Sequence, residues 1–220
     1  MSLDEMDHLE DGARVKILDL VEDYSFGNMF RINRATLRYQ RFDGQMSEEI
    51  TRINFERGDS VGVLLYDPDE DVVLLTRQFR YPVYASIDPE NLKEEGAKQA
   101  WFLEVVGGTI DPGYSAVEIA SKEILEETGY VVRGGLRPIA TIYPSPGGAS
   151  ERIYLFLGLV DRKDRLNEGG GLHSKGEDIQ VESLSFQESM KMIARGEISD
   201  AKTIIALQHL AILKTRGEEF

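Results

Sequence analysis

The stretch from Gly107 to Tyr130 constrains this chain more than any other. An apolar run, Trp101–Val106, ends in Gly107-Gly108, and a polar loop then leads into a segment of helical period. Val117, Ala120 and Ile124 recur at i, i+3 and i+7, which reads as one stripe facing a core. Ser115 stands where an N-cap belongs, Glu118 completes a capping-box pattern, and Gly129 supplies the C-terminal stop. A strand, a loop and a helix delimited this sharply predict a helix packed on a sheet. The same helix carries Glu123, Glu126 and Glu127. Residues four apart sit about 40° from each other around a helix, so Glu123 and Glu127 share a face that Glu126 flanks. Like charges at that spacing are mildly destabilising, and only Lys122 compensates locally. On spacing alone the trio reads either as a solvated acidic face or as a set of hard oxygen ligands suited to Mg²⁺ or Mn²⁺, ions that also bridge to phosphates.

The rest of the chain alternates strands and helices without strict β-α order. Val15–Leu20, Met29–Tyr39 and Ile50–Phe55 read as strands of a small N-terminal sheet, with Phe42-Asp43-Gly44-Gln45 as turn chemistry between the last two. The acidic start, up to about Gly12, is expected to be mobile. Val61–Tyr66 and Val72–Phe79 are apolar and β-branched, split by the turn residues Asp67-Pro68-Asp69. Ile139–Tyr143, Ile153–Leu159 and Ile179–Ser185 follow as strands, then helices near Gln187–Arg195 and Ala201–Lys214. Between Val160 and Asp178 runs a polar stretch holding Gly169-Gly170-Gly171, too long for an ordinary connection and therefore functional or disordered. This order favours a mixed sheet with helices packed on it over a doubly wound parallel sheet.

Composition removes several functions. With 39 acidic against 25 basic side chains the net charge is −14, which repels nucleic acid and anionic membrane surfaces. The chain has no cysteine, so disulfides, zinc–thiolate sites and thiol nucleophiles are excluded, and a cytoplasmic location is expected. No apolar run approaches the length of a membrane span, and the acidic start is wrong for a secretory signal. Hydrophobic residues at 41% are enough for a packed core.

The order of residues adds to the spacing. Gly108, a loop, then Lys122-Glu123-Ile124-Leu125-Glu126-Glu127-Thr128-Gly129-Tyr130 resembles the signature of the Nudix hydrolases. Two positions depart from it: Lys122 stands where the family has Arg, and Tyr114 where it has Glu. Further segments resemble the ADP-ribose pyrophosphatase and nucleotide-sugar diphosphatase group of that superfamily, in the same order. They are Phe42–Ser47, Phe55–Gly58, Arg77-Gln78-Phe79-Arg80, Ser145–Arg152, Glu177-Asp178-Ile179 and Ile204–Gln208. The resemblance covers roughly residues 12 to 213.

It implies an α+β fold of α/β/α sandwich type, the Nudix fold, with a mixed sheet between helices. A small N-terminal β-subdomain, residues 1–57, would form a homodimer, and residues 58–220 would be the hydrolase domain. The implied activity is Mg²⁺-dependent hydrolysis of the diphosphate bond of ADP-ribose to AMP and ribose 5-phosphate, with Mn²⁺ as a possible substitute. The implied metal ligands are Glu123, Glu127, Glu177 and the carbonyl of Gly107; Glu126 and Glu177 are the implied catalytic carboxylates. In the resembling enzymes a second glutamate precedes the one matched by Glu177, and Lys175 stands in its place. Glu168 is a further carboxylate within reach if the loop folds over. Arg80, at a strand end, is suited to bidentate bonds with a diphosphate. Arg57, Gly147, Gly148 and Glu151 complete the implied substrate contacts, the glycines by letting backbone N–H groups approach and Glu151 by holding a ribose hydroxyl. A diphosphatase for GDP-mannose or another nucleotide sugar is the alternative. A Nudix-fold binding module without catalysis is the second alternative, which Tyr114, Lys122 and Lys175 keep open; no nucleic-acid or membrane partner is expected.

Overall fold

The computed structural model describes residues 14–27, 29–92, 94–172, 174 and 176–218. The acidic start, His8, His173 and Lys175 lie outside the described residues. The chain divides into two compact units, the first reaching to Gly58 and including Tyr143–Glu151, the second comprising the rest.

The first unit is a three-stranded antiparallel sheet of β1 (Val15–Phe26), β2 (Phe30–Tyr39) and β3 (Ile50–Glu56), in that order. The Asp-Gly turn is present: Arg41 and Gly44 close it, and Gln40 bridges Met46. The loop Tyr143–Glu151 joins this unit through β3. Phe55 donates its N–H to Gly148 and accepts from Ser150. Glu56 receives the Ser150 hydroxyl and the Gly58 N–H. Burial works against its charge, but these bonds prevail and its pKa lies below the usual carboxylate value.

The second unit is built on a seven-stranded mixed sheet. Its strands are β4 (Ser60–Asp67), β5 (Val72–Phe79), β6 (Trp101–Glu104), β7 (Val106–Thr109), β8 (Arg133–Ile142), β9 (Ile153–Leu159) and β10 (Gln180–Ser185). The main path runs β10-β5-β4-β9-β8, with β6 on β5 and β7 on β4. Among the described strands of this sheet β4 and β9 pair in parallel and the other pairs are antiparallel. The helices are α1 (Tyr81–Ser86), α2 (Glu94–Ala97), α3 (Ala116–Thr128), α4 (Phe186–Arg195) and α5 (Ala201–Thr215).

Period-two alternation sends β4 to both faces of the sheet. Val61, Val63 and Leu65 pack with Ile119, Ala120 and Ile124 of α3. Leu64 and Tyr66 pack with Met192 of α4 and Ala206, Leu207 and Leu210 of α5. Both faces are covered, which is why β4 reads as an unbroken apolar run rather than an alternating one. The expected sandwich of helices around a mixed sheet is therefore present.

Three expectations are corrected. The run Trp101–Val106 is split between two short strands, because Trp101–Glu104 pairs with β5 as β6 while Val106 pairs with β4 and opens β7. The strand expected from Ile139 begins at Arg133. Val117 is 49% exposed and does not face the core; the buried face of α3 runs through Ile119, Ala120, Glu123, Ile124 and Glu127.

Candidate active site

Helix α3 forms where its local signals place it. Ser115 accepts from the Glu118 N–H, the Glu118 carboxylate accepts from the Ser115 N–H, and Gly129 closes the helix at φ 75°. What the local signals do not say is that the buried face is centred on two glutamates. Glu127 is 4% exposed and Glu123 is 9% exposed. Both must sit in a space that other elements leave for them. Gly108 of β7 leaves one such space: a Cβ there would fall 2.5 Å from Glu123 Cγ and 2.7 Å from its Oε1.

Glu104, at the end of β6, brings a third buried carboxylate. It is held by cations on both sides. Arg80 donates from Nε to Oε1 at 2.6 Å, and Lys202, in the first turn of α5, donates to Oε2. Lys202 also lies 3.0 Å from Asp200. Burial works against the charge on Arg80, but Glu104, Glu127 and Asp200 outweigh it and its pKa is raised. Arg80 is thus engaged by a carboxylate rather than waiting free at the strand end. Glu104 and Lys202 were not among the expected site residues. The signal for Glu104 was present: a carboxylate inside Phe102-Leu103-Glu104-Val105-Val106 is an acid in a buried strand, which requires a partner.

Among the described residues no cation faces Glu127 so closely. Its Oε2 is buried and has no hydrogen-bond partner among the described residues. Burial first, then the charges of Glu123 and Glu104, drive its pKa up to about 9; Arg80 opposes this and Glu177 adds to it. A buried carboxylate with one orphaned oxygen and like charges around it is an unbalanced arrangement that a divalent cation would balance. All available donors are oxygens, which suits Mg²⁺ or Mn²⁺. Among the described residues no three Asp, Glu or His side chains converge as a ready-made metal cluster.

The loop after β9 docks on the far end of α3. Gly170 donates its N–H to the Glu127 carbonyl at 2.8 Å and Gly171 to the Glu126 carbonyl at 3.1 Å. The Gly169–Gly171 stretch is therefore an ordered cap on this helix, satisfying carbonyls the helix itself leaves open. Glu177 follows in the same loop, its Oε2 accepting from the Leu172 N–H at 2.8 Å. Glu168, by contrast, points out to solvent and pairs with Arg165. Lys122 lies 3.9 Å from Glu126, and Tyr114 is exposed, so neither reproduces a tight charged support for the helix.

The structure thus places Gly107, Glu123, Glu126, Glu127, Glu177 and Arg80 in the second unit. Arg57, Gly147, Gly148 and Glu151 lie in the first, where Arg57 and Glu151 are 3.9 Å apart. A Cβ at Gly147 or Gly148 would meet nothing within 4 Å, so the turn is open on that side. The N–H of Gly148, however, already donates to Ser145.

A model of the NUDIX domain matches residues 56–207. The chain is 36% identical over 196 residues to a GDP-mannose pyrophosphatase of Pectobacterium atrosepticum, covering 89% of this chain and 94% of that one. It is 33% identical over 190 residues to an ADP-ribose pyrophosphatase of Escherichia coli K12, covering 85% and 84%. A crystal structure of an ADP compounds hydrolase superposes with a TM-score of 0.66 at 17% identity, over 96% of this chain and 100% of that one, which shows the shared fold. With the family model spanning the buried glutamates, their strand and the docked loop, the chain belongs to the NUDIX family of hydrolases.

Proposed function

We propose that the protein hydrolyses the diphosphate bond of ADP-ribose, giving AMP and ribose 5-phosphate, in a Mg²⁺-dependent reaction that Mn²⁺ also supports. The observation that carries this reading is the buried, uncompensated carboxylate of Glu127 beside Glu123, in a family of hydrolases. Glu123, Glu127, Glu177 and the Gly107 carbonyl would hold the metal. When bound, it supplies charge neutralisation at the diphosphate and a water of lowered pKa. Glu126 and Glu177 are the carboxylates that hold or accept the proton of the attacking water. Arg80 turns part of its guanidinium to the diphosphate, while Lys202 keeps Glu104 compensated. Arg57, Gly147, Gly148 and Glu151 are proposed as substrate contacts of the first unit.

The protein is proposed to act as a homodimer. Tyr24, Phe26, Met29 and Ile53 are exposed on the three-stranded first unit, apolar surface that a second copy would cover. A cytoplasmic location is proposed from the lack of cysteine. Among the described residues no helix is long and apolar enough to cross a membrane.

GDP-mannose or another nucleotide sugar is the second reading, favoured by the relative that is 36% identical to this chain over 196 residues. A panel of nucleotide sugars with Mg²⁺, products separated and identified, distinguishes them. AMP from ADP-ribose at the highest kcat/KM supports the first reading; GMP from GDP-mannose with little AMP overturns its substrate half.

A further inference from the structure

The capping of α3 by Gly169–Gly171 has a second effect. Gly171 sits at φ 76°, and a Cβ there would fall 2.9 Å from both Cβ and Oε2 of Glu177 and 2.9 Å from Ile179 Cδ1. The loop folds back so that Ile179 donates to the Gly170 carbonyl at 3.1 Å, Glu177 donates to the Leu172 carbonyl at 3.3 Å, and Leu172 donates to Glu177 Oε2 at 2.8 Å. The two residues whose carbonyls receive the Gly170 and Gly171 N–H groups are Glu127 and Glu126. One short stretch of bare backbone therefore grips the helix that carries the acids on one side and the side chain of Glu177 on the other.

We propose that Gly171 is the positioning residue for Glu177: its lack of a side chain lets the Glu177 carboxylate fold against the loop that is fastened to the end of α3, and so sets where that carboxylate stands relative to Glu126 and Glu127. Neighbouring Gly176 supplies the contrast. It has nearly the same φ, 75°, yet among the described residues a Cβ there would meet nothing within 4 Å. The demand for glycine at 176 is one of backbone conformation alone; at 171 it is also one of space. The catalytic consequence rests on the diphosphatase reading; the positional one does not.

The test compares Gly171→Ala with Gly176→Ala in the full chain. Amide hydrogen exchange, read without metal, reports the Leu172 N–H that Glu177 accepts. It is expected to lose protection in Gly171→Ala and keep it in Gly176→Ala. Loss in both, or in neither, overturns the proposal. With Mg²⁺ and the best nucleotide sugar of the panel, Gly171→Ala is expected to lower kcat about 10- to 100-fold with KM little changed. Glu177→Gln is expected to add almost nothing to that loss in the double variant. Fully additive losses overturn the positioning role. If Gly171→Ala folds too weakly to assay, Glu177→Gly in the same chain removes the two Glu177 atoms that the new Cβ strikes and should restore part of the lost stability; no recovery at all also overturns the proposal. Loss of Leu172 protection in Gly171→Ala but not in Gly176→Ala, together with a wild type that cleaves no nucleotide sugar, rejects the diphosphatase reading and leaves the positional inference supported.

Discussion

Replacing Glu127 by Gln should stabilise the protein when metal is absent. The side chain is 4% exposed and its pKa is raised to about 9 from an ordinary 4.5. A carboxyl whose folded pKa lies above its unfolded one binds a proton on folding. Its contribution is fully favourable below the unfolded value and is lost as pH rises through the interval to the folded one. At pH 7 about two and a half units of that interval have been crossed, at about 1.4 kcal/mol each, so the ionisable side chain costs about 3 kcal/mol that the neutral amide does not. In EDTA at pH 7, Glu127→Gln should melt about 6–12 °C above wild type, using the usual conversion for a chain of this size. The gap should narrow as pH falls toward 5, close to the unfolded value, where the unfolded chain begins to bind the proton that folded Glu127 already holds. Saturating Mg²⁺ should reverse the order, because the cation stabilises only the chain that can offer it the carboxylate. Calorimetry across pH 5 to 8, with and without metal, makes the comparison. A Gln variant no more stable than wild type in EDTA at every pH would refute the view that Glu127 is held uncompensated.

Other perturbations test the surrounding parts. Gly108→Ala should displace Glu123 and reduce kcat by about 10-fold or more, since the new Cβ would stand 2.5 Å from Glu123 Cγ; steady-state kinetics with metal titration checks it. Ser115→Ala removes the N-cap of α3 and should cost about 1 kcal/mol in urea unfolding while kcat stays near wild type. Lys202→Met leaves the buried Glu104 with Arg80 alone and should destabilise by about 3–5 kcal/mol, and Lys202→Arg should recover most of it.

Helix α3 was legible in the sequence because its signals are local. The Ser115–Glu118 capping box and left-handed Gly129 act within a turn of the helix ends, and the structure shows both. The apolar strands β4, β5 and β9 were legible for a similar reason: a run buried on both faces needs no partner to be recognised. The orientation of α3 was not. Val117 fits the apolar stripe as well as Ile119 does, and only the position of Gly108 and β7 decides that the buried face is centred on glutamates. Glu104 and Lys202 meet across a long sequence separation, so their pairing has no local trace. The docking of Gly169–Gly171 on α3 and of Tyr143–Glu151 on β3 was hidden in the same way, since a glycine-rich loop reads alike whether it caps a helix or wanders. Helix α1 is a different omission: Pro82 in its first turn is a start signal that was there to be used.

The most direct measurement of the central claim is product formation from ADP-ribose by wild type and Glu127→Gln, each with Mg²⁺ and with EDTA, resolved by chromatography. The account predicts AMP and ribose 5-phosphate from wild type with Mg²⁺ only, and none from the variant under either condition. Undiminished cleavage by Glu127→Gln, or by wild type in EDTA, would contradict it.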